Sequence, residues 1–244
     1  MRNIKLTLEY QGTRYHGWQR QKNAPSIQEH LEDAIKKVTD KKSILYGAGR
    51  TDAGVHARAQ VANFKTSSRL SLEALLHAIN AHLPRDIAAK KAEEAPLDFN
   101  ARKSARGKVY SYHIYDGPAR PALFRDFAYY SKHKLSERKM RRASRFLLGR
   151  HDFRAFRTSG SSAVTSVREI RQINIKRRGQ KLSITIEGSG FLYNMVRAIV
   201  GTLMEVGRGK IEPARAKKIL DSKDRSLAGP TAPPQGLFLE RVLY

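Results

Sequence analysis

The 244-residue chain contains no cysteine. That excludes a disulfide framework, a thiolate metal site and a cysteine nucleophile. Acidic residues are scarce, with 22 Asp and Glu against 47 Lys and Arg. No segment gathers the clustered carboxylates that a metal-dependent nuclease needs. The eight histidines are scattered, with no two at ligand spacing in one segment, so no zinc pattern can be read either. There is no apolar run long enough to span a bilayer and no lipidation signal. The opening MRNIKLTLEY alternates like a strand and lacks the apolar core and cleavage site of a signal peptide. The expectation is a soluble, cytoplasmic protein without a membrane partner or a metal site.

What the chain has in excess is positive charge, formally +25. Such an excess favours a polyanion, because each phosphate neutralised by Lys or Arg releases counterions. Nucleic acid fits better than a membrane surface. At 40% hydrophobic residues over this length, there is apolar material for a real core.

Along the chain, Ile4, Leu6 and Leu8 alternate with polar residues, as in a half-buried strand. Ser26 followed three residues later by Glu29 reads as a capping box, and Ile27, Leu31, Ala34, Ile35 and Val38 continue at helical spacing. Residues 43–48 and 59–65 read as strands, so the glycine-containing segment between them is a strand-to-strand loop. A second helix runs from Ser71 and is closed by Pro84. The pattern breaks near residue 105, and KVYSYHIY starts a fresh strand. Then come a helix over 136–148, strands over 167–176 and 182–187, an apolar helix over 191–206, and a helix after Pro213. A Pro/Gly loop, AGPTAPPQG, leads to a last strand, LFLERVL. The sequence predicts an α+β protein of two similar α/β domains, residues 1–105 and 106–244, with mainly antiparallel sheets flanked by helices.

The loop GAGRTDAGVHARAQ, residues 47–60, holds three glycines, two arginines and one acid, Asp52. As a phosphate loop it fails, because it lacks the Gly-Lys-Ser/Thr ending and precedes a strand. Two readings remain open for it. It is an ordinary turn, since glycine permits positive φ and Asp favours turns. Or Asp52 is a catalytic carboxylate, kept ionised by Arg50 and other cations that also hold a phosphate beside it.

Two further features bear on that choice. Arg197 lies inside the apolar run FLYNMVRAIVG. It either snorkels to solvent or needs a carboxylate partner from another segment, for which Asp52 is suitable. Tyr110 and Tyr112 share one face of the KVYSYHIY strand. Tyrosines there pack in the core, or one of them stacks on an unstacked base. Trp18 carries the same ambiguity, while Phe153 and Phe156 read as core.

Taken together, YQGTRYHGWQRQ (10–21), GRTDAGVHA (49–57), KVYSY (108–112), GRHDFRAF (149–156), GSGFLYNMVRAIVG (188–201) and APPQGLFL (232–239) resemble the tRNA pseudouridine synthase A family, in the same order and over essentially the whole chain. Two positions depart from the family pattern: Gln11 replaces an acid, and Asn194 stands where a histidine is frequent. The resemblance implies an isomerase, independent of cofactors and metals, that converts uridine to pseudouridine at positions 38, 39 and 40 of the tRNA anticodon stem-loop. It implies Asp52 as catalytic aspartate, Tyr110 stacking on the flipped base, Arg197 as partner of Asp52, and Arg50 assisting base flipping. It also implies a homodimer, with an active cleft between the two domains. A non-catalytic basic RNA-binding protein is the alternative that charge alone allows.

Overall fold

The computed structural model describes residues 1–158, 160 and 164–244. In chain order the elements are β1 (Arg2–Tyr10), α1 (Ile27–Thr39), β2 (Tyr46–Gly47), β3 (His56–Thr66), α2 (Leu72–Ala81), β4 (Ile87–Ala95) and β5 (Gly107–Tyr115). Then follow β6 (Tyr129–Tyr130), α3 (Glu137–Ser144), β7 (Gly149–Asp152), β8 (Val167–Arg178), β9 (Lys181–Gly188), α4 (Met195–Gly207), α5 (Arg215–Ser222) and β10 (Leu237–Leu243). The chain divides into two compact units, Met1–Arg106 with Phe238–Tyr244, and Gly107–Leu237. The final strand thus returns to the first unit, where Phe238 and Leu239 pair in parallel with His56 and Ala57 of β3, whereas the sequence reading placed residues 106–244 together.

In the first unit β1 pairs antiparallel with both β3 and β4. Ile4, Leu6 and Leu8 are fully buried, as their alternation requires. Helices α1 and α2 begin at Ser26 and Ser71, whose hydroxyls accept the backbone N–H groups of Glu29 and Ala74. Such caps satisfy donors that the first helical turn leaves without partners. The helices bury Ile27, Leu31, Ala34, Ile35, Leu75 and Ile79. The expected strand over 43–48 shrinks to Tyr46–Gly47. Side chains take its backbone groups instead: Leu45 N–H donates to Glu32, and Gln28 donates to the Leu45 carbonyl. Strand β4 was not legible in the sequence because it reads IAAKKAEEA, with charge where alternation should show apolar residues. The Lys5–Glu93 and Lys90–Glu9 ion pairs lie along its pairing with β1.

The second unit is built on β5, β9, β8 and β7, each antiparallel to the next, with β6 parallel to β5. Helix α4 is buried along nearly its whole length, consistent with its apolar sequence. It starts at Met195, later than expected, because Asn194 takes a left-handed φ of 57° and interrupts the run. Asn is one of the few side chains that tolerate that conformation. Segment 228–236 is pinned to α4: Gly229 N–H donates to the Thr202 hydroxyl, and Ala232 N–H to the Arg197 carbonyl. Phe153 and Phe156 are fully buried, as read from the sequence. A bidentate ion pair joins Asp116 to Arg177 at 2.6 and 2.7 Å, tying the end of β5 to the end of β8. Among the described residues no helix is long and apolar enough to cross a membrane.

Candidate active site

Asp52 sits in the turn that leads into β3. Its carbonyl accepts the Val55 N–H at 3.1 Å, and Gly54 between them has φ +76°. A positive φ at the third turn position is what glycine supplies without steric cost. Gly54 N–H in turn donates to the Tyr15 carbonyl, and Trp18 N–H to the Thr51 carbonyl. Segment 12–18 therefore lies directly against the Asp52 loop. Gly17 makes that approach possible. At φ +92°, a Cβ on it would lie 2.5 Å from the Thr51 carbonyl oxygen and 3.1 Å from the Asp52 carbonyl carbon. Trp18 is 2% exposed and its indole covers Gly47. It is a wall of the loop, which resolves its ambiguity in favour of packing.

Segment 12–18 is itself held by Asp86. Tyr15 donates to that carboxylate at 2.5 Å and Arg14 at 2.8 Å, while Gln11 N–H donates to the Asp86 carbonyl. Burial alone would raise the Asp86 carboxyl, but the bonds from Tyr15 and Arg14 outweigh it and hold the group below the ordinary carboxylate range. Gln11, one of the two departures from the family pattern, donates to Thr13.

Arg50 is exposed and its Nε donates to Gln19 Oε1 at 3.0 Å. Arg50 and Asp52 thus stand two residues apart on one loop held by backbone hydrogen bonds to segment 12–18. The base of that loop continues into His56, 1% exposed and stacked on Phe238 with ring centroids 4.6 Å apart. His56 Nδ1 accepts the Gly12 N–H, which fixes the neutral ring with its proton on Nε2.

The other two candidates belong to the second unit. Tyr110 lies on β5 opposite Ile186 and is 7% exposed. Its ring meets that of Phe191 edge to face, centroids 5.2 Å apart. Its neighbour Tyr112 is fully buried and donates to the Pro233 carbonyl, so of the two it is the core residue. Arg197, on the first turn of α4, is half-buried. Its Nε donates to the Ala232 carbonyl at 2.7 Å, and Nη1 to Asn194 Oδ1 at 2.8 Å. The Asn194 amide donates to Thr158. Asn194 thus links Arg197 to Thr158.

Comparison with known proteins gives the family of the chain. A family model described as tRNA pseudouridine synthase matches residues 7–102 and 143–244. The chain belongs to that family. It is 51% identical to tRNA pseudouridine synthase A of Acetivibrio thermocellus over 244 residues, covering all of both chains. It is 49% identical to tRNA pseudouridine synthase A 2 of Clostridium perfringens and 48% identical to tRNA pseudouridine synthase A of Caldicellulosiruptor bescii, again over the full length of each. Two α/β regions built on sheets flanked by helices are what the sequence reading of the fold class required.

The loop's supports were missed at the level of sequence. Tyr10 ends β1, Gln60 sits within β3, and Thr51 precedes the aspartate; all three are buried. Gln60 left one trace, as a polar residue in an otherwise strand-like segment.

Proposed function

We propose that this tRNA pseudouridine synthase converts uridine to pseudouridine at positions 38, 39 and 40 of the anticodon stem-loop, acting as a homodimer in the cytoplasm. As a family member it is an isomerase, so its chemistry rearranges one nucleotide without net addition or loss of atoms. The observation that carries the reading is the Asp52 loop: the one acidic residue of segment 47–60, two positions from an exposed arginine, on backbone held by hydrogen bonds from two neighbouring segments. A mobile surface turn would not need such restraint.

A uridine in a stem presents no accessible glycosidic bond until its nucleotide leaves the stack. In the proposed reaction Arg50 steers the backbone during that extrusion, and Tyr110 replaces the lost stacking with its ring. Asp52 is the catalytic carboxylate, and Arg197 binds the substrate. The C1′–N1 bond breaks, the uracil turns, C5 bonds to C1′, the C5 proton leaves to solvent, and N1 takes up a proton in its place. The surplus of cations holds the phosphates.

The test uses tRNA carrying tritium at uridine C5. Wild-type protein should release label to water without cutting the strand, with pseudouridine mapped to positions 38–40. Asp52→Asn should release none while still binding tRNA. Full release by that variant would sink the assignment of Asp52. Intact label with wild-type protein that binds tRNA would point to a non-catalytic RNA-binding protein.

A further inference from the structure

The loop that carries Asp52 is tied on its inner side by groups that do not belong to the reaction. Tyr10 Oη and Thr51 Oγ1 are 2.8 Å apart in a buried hydrogen bond. Gln60 Nε2 donates to the Gly49 carbonyl at 2.8 Å and points its other hydrogen toward Tyr10 Oη at 3.5 Å. Gln60 Oε1 accepts the Val61 N–H. Gln60 is fully buried, Tyr10 is 3% exposed and Thr51 6%. The two anchored positions, Gly49 and Thr51, flank Arg50, and the second immediately precedes Asp52.

We propose that Tyr10, Thr51 and Gln60 form a positioning clamp that sets the place of the Asp52 carboxylate and so controls the rate of the chemical step rather than substrate binding. This rests on the reading of Asp52 as the catalytic carboxylate. Nothing in the core requires these three polar groups. Buried polar side chains cost free energy unless paired, and an apolar trio would fill the same space. What the polar trio supplies is direction: one bond ends on the Gly49 carbonyl and one on the Thr51 side chain next to Asp52, while Gln60 is itself held by the Val61 N–H. The β1–β3 register creates the geometry. It shifts between Leu8 and Tyr10, so Tyr10 faces Ala57 rather than Arg58, and such bulges re-aim side chains. Burial pushes the Tyr10 hydroxyl up to about 12, against smaller opposing effects of its bonds to Thr51 and Gln60. The hydroxyl therefore keeps its proton at every working pH.

The test compares Tyr10→Phe and Thr51→Val, each of which removes one hydroxyl and keeps the shape, with Thr51→Ser, which retains the hydroxyl. Tritium release from uridine-labelled tRNA gives kcat and KM, and thermal unfolding is measured on the same proteins. The expected result is a kcat lower by about tenfold to a hundredfold in Phe and Val variants, since sub-ångström misplacement of a catalytic group costs on that order. KM stays within about twofold, the pH profile keeps its shape, and Thr51→Ser restores most of the rate. The Tyr10→Phe/Thr51→Val double variant should be no slower than the slower single, because both remove one bond. Wild-type kcat in both single variants overturns the proposal. So does a rate loss that simply follows a fall in melting temperature, or a displaced pH profile, which would make Tyr10 a titrating participant. Asp52→Asn is run alongside. If it is inactive while the clamp variants are normal, only the clamp fails; if it is active, the catalytic reading fails and the clamp with it.

Discussion

Replacing Gly17 with alanine perturbs the Asp52 loop from outside without touching any group proposed to react. The added Cβ would meet the Thr51 carbonyl oxygen at 2.5 Å. Ordinary carbon–oxygen contact begins at about 3.3 Å, so the loop or segment 12–18 must retreat by roughly 0.8 Å. That retreat strains the Trp18 N–H bond to the same carbonyl, now 3.0 Å, and loss of such a bond costs about 1 kcal/mol. Holding alanine at the φ of +92° adds about 1–2 kcal/mol. The total is a destabilisation of about 2–3 kcal/mol and a melting temperature lower by roughly 5–10 °C. The same displacement, applied to the backbone of Thr51 and Asp52, should lower kcat by about a hundredfold. Differential scanning calorimetry and tritium release on one preparation read both effects. A Gly17→Ala protein with wild-type turnover and melting temperature would refute the claim that close approach of segment 12–18 fixes the Asp52 loop.

Asp116→Asn should destabilise the second unit by about 3 kcal/mol, because it leaves the largely buried Arg177 without its carboxylate; an unchanged melting temperature would contradict this. Burial would raise the Asp116 carboxyl, but the bonds from Arg177 and Leu135 N–H prevail and depress it. Its contribution is therefore fully present above the unfolded value of about 3.9 and is lost as pH falls through the folded value below that. Acid unfolding should consequently be shallower in the Asn variant below about pH 4 than in wild type. tRNA affinity should fall more than tenfold between 50 and 200 mM salt if three or more phosphates are neutralised, and a flat titration would remove the electrostatic footprint. Asn194→Ala should raise KM for tRNA several-fold by freeing the Arg197 guanidinium from Asn194 Oδ1, and an unchanged KM would assign Asn194 to helix geometry alone.

Where the fold was legible in the sequence, local chemistry and tertiary packing agreed. Ile4, Leu6 and Leu8 alternate because one face of β1 is buried, and Ser26 and Ser71 cap helices whose apolar stripes begin just after them. The misreadings have two physical sources. Strand β4 is stabilised by cross-strand ion pairs and backbone ladders rather than apolar alternation, so its pattern carried no period. Residues 43–45 looked like strand, but the Leu45 carbonyl and N–H are taken by the Gln28 and Glu32 side chains, and the Ser43 hydroxyl donates to the Lys65 carbonyl. Side chains from a helix compete for the same donors and acceptors as a neighbouring strand, and no window of sequence contains that competition.

The candidate site divides the same way. Asp52 stood out as a candidate because it violates the composition around it: an acid between arginines, in a loop with glycines on both sides. Arg197 stood out as a candidate because a charge inside an apolar helix demands explanation. Their supports violate nothing locally. Tyr10 is a strand tyrosine, Gln60 one polar residue in a strand, Gly17 one glycine in a loop. They acquire meaning only when the β1–β3 register brings Tyr10 to Thr51 across 41 positions of sequence, and when a bulge turns that tyrosine onto the loop. A catalytic group can be found from its chemistry, which is local. The groups that hold it in place are chosen by geometry, which is not, and rate depends on both. Side chains that bond the backbone of an active loop are therefore the positions where sequence reasoning fails first and where structure adds most to mechanism.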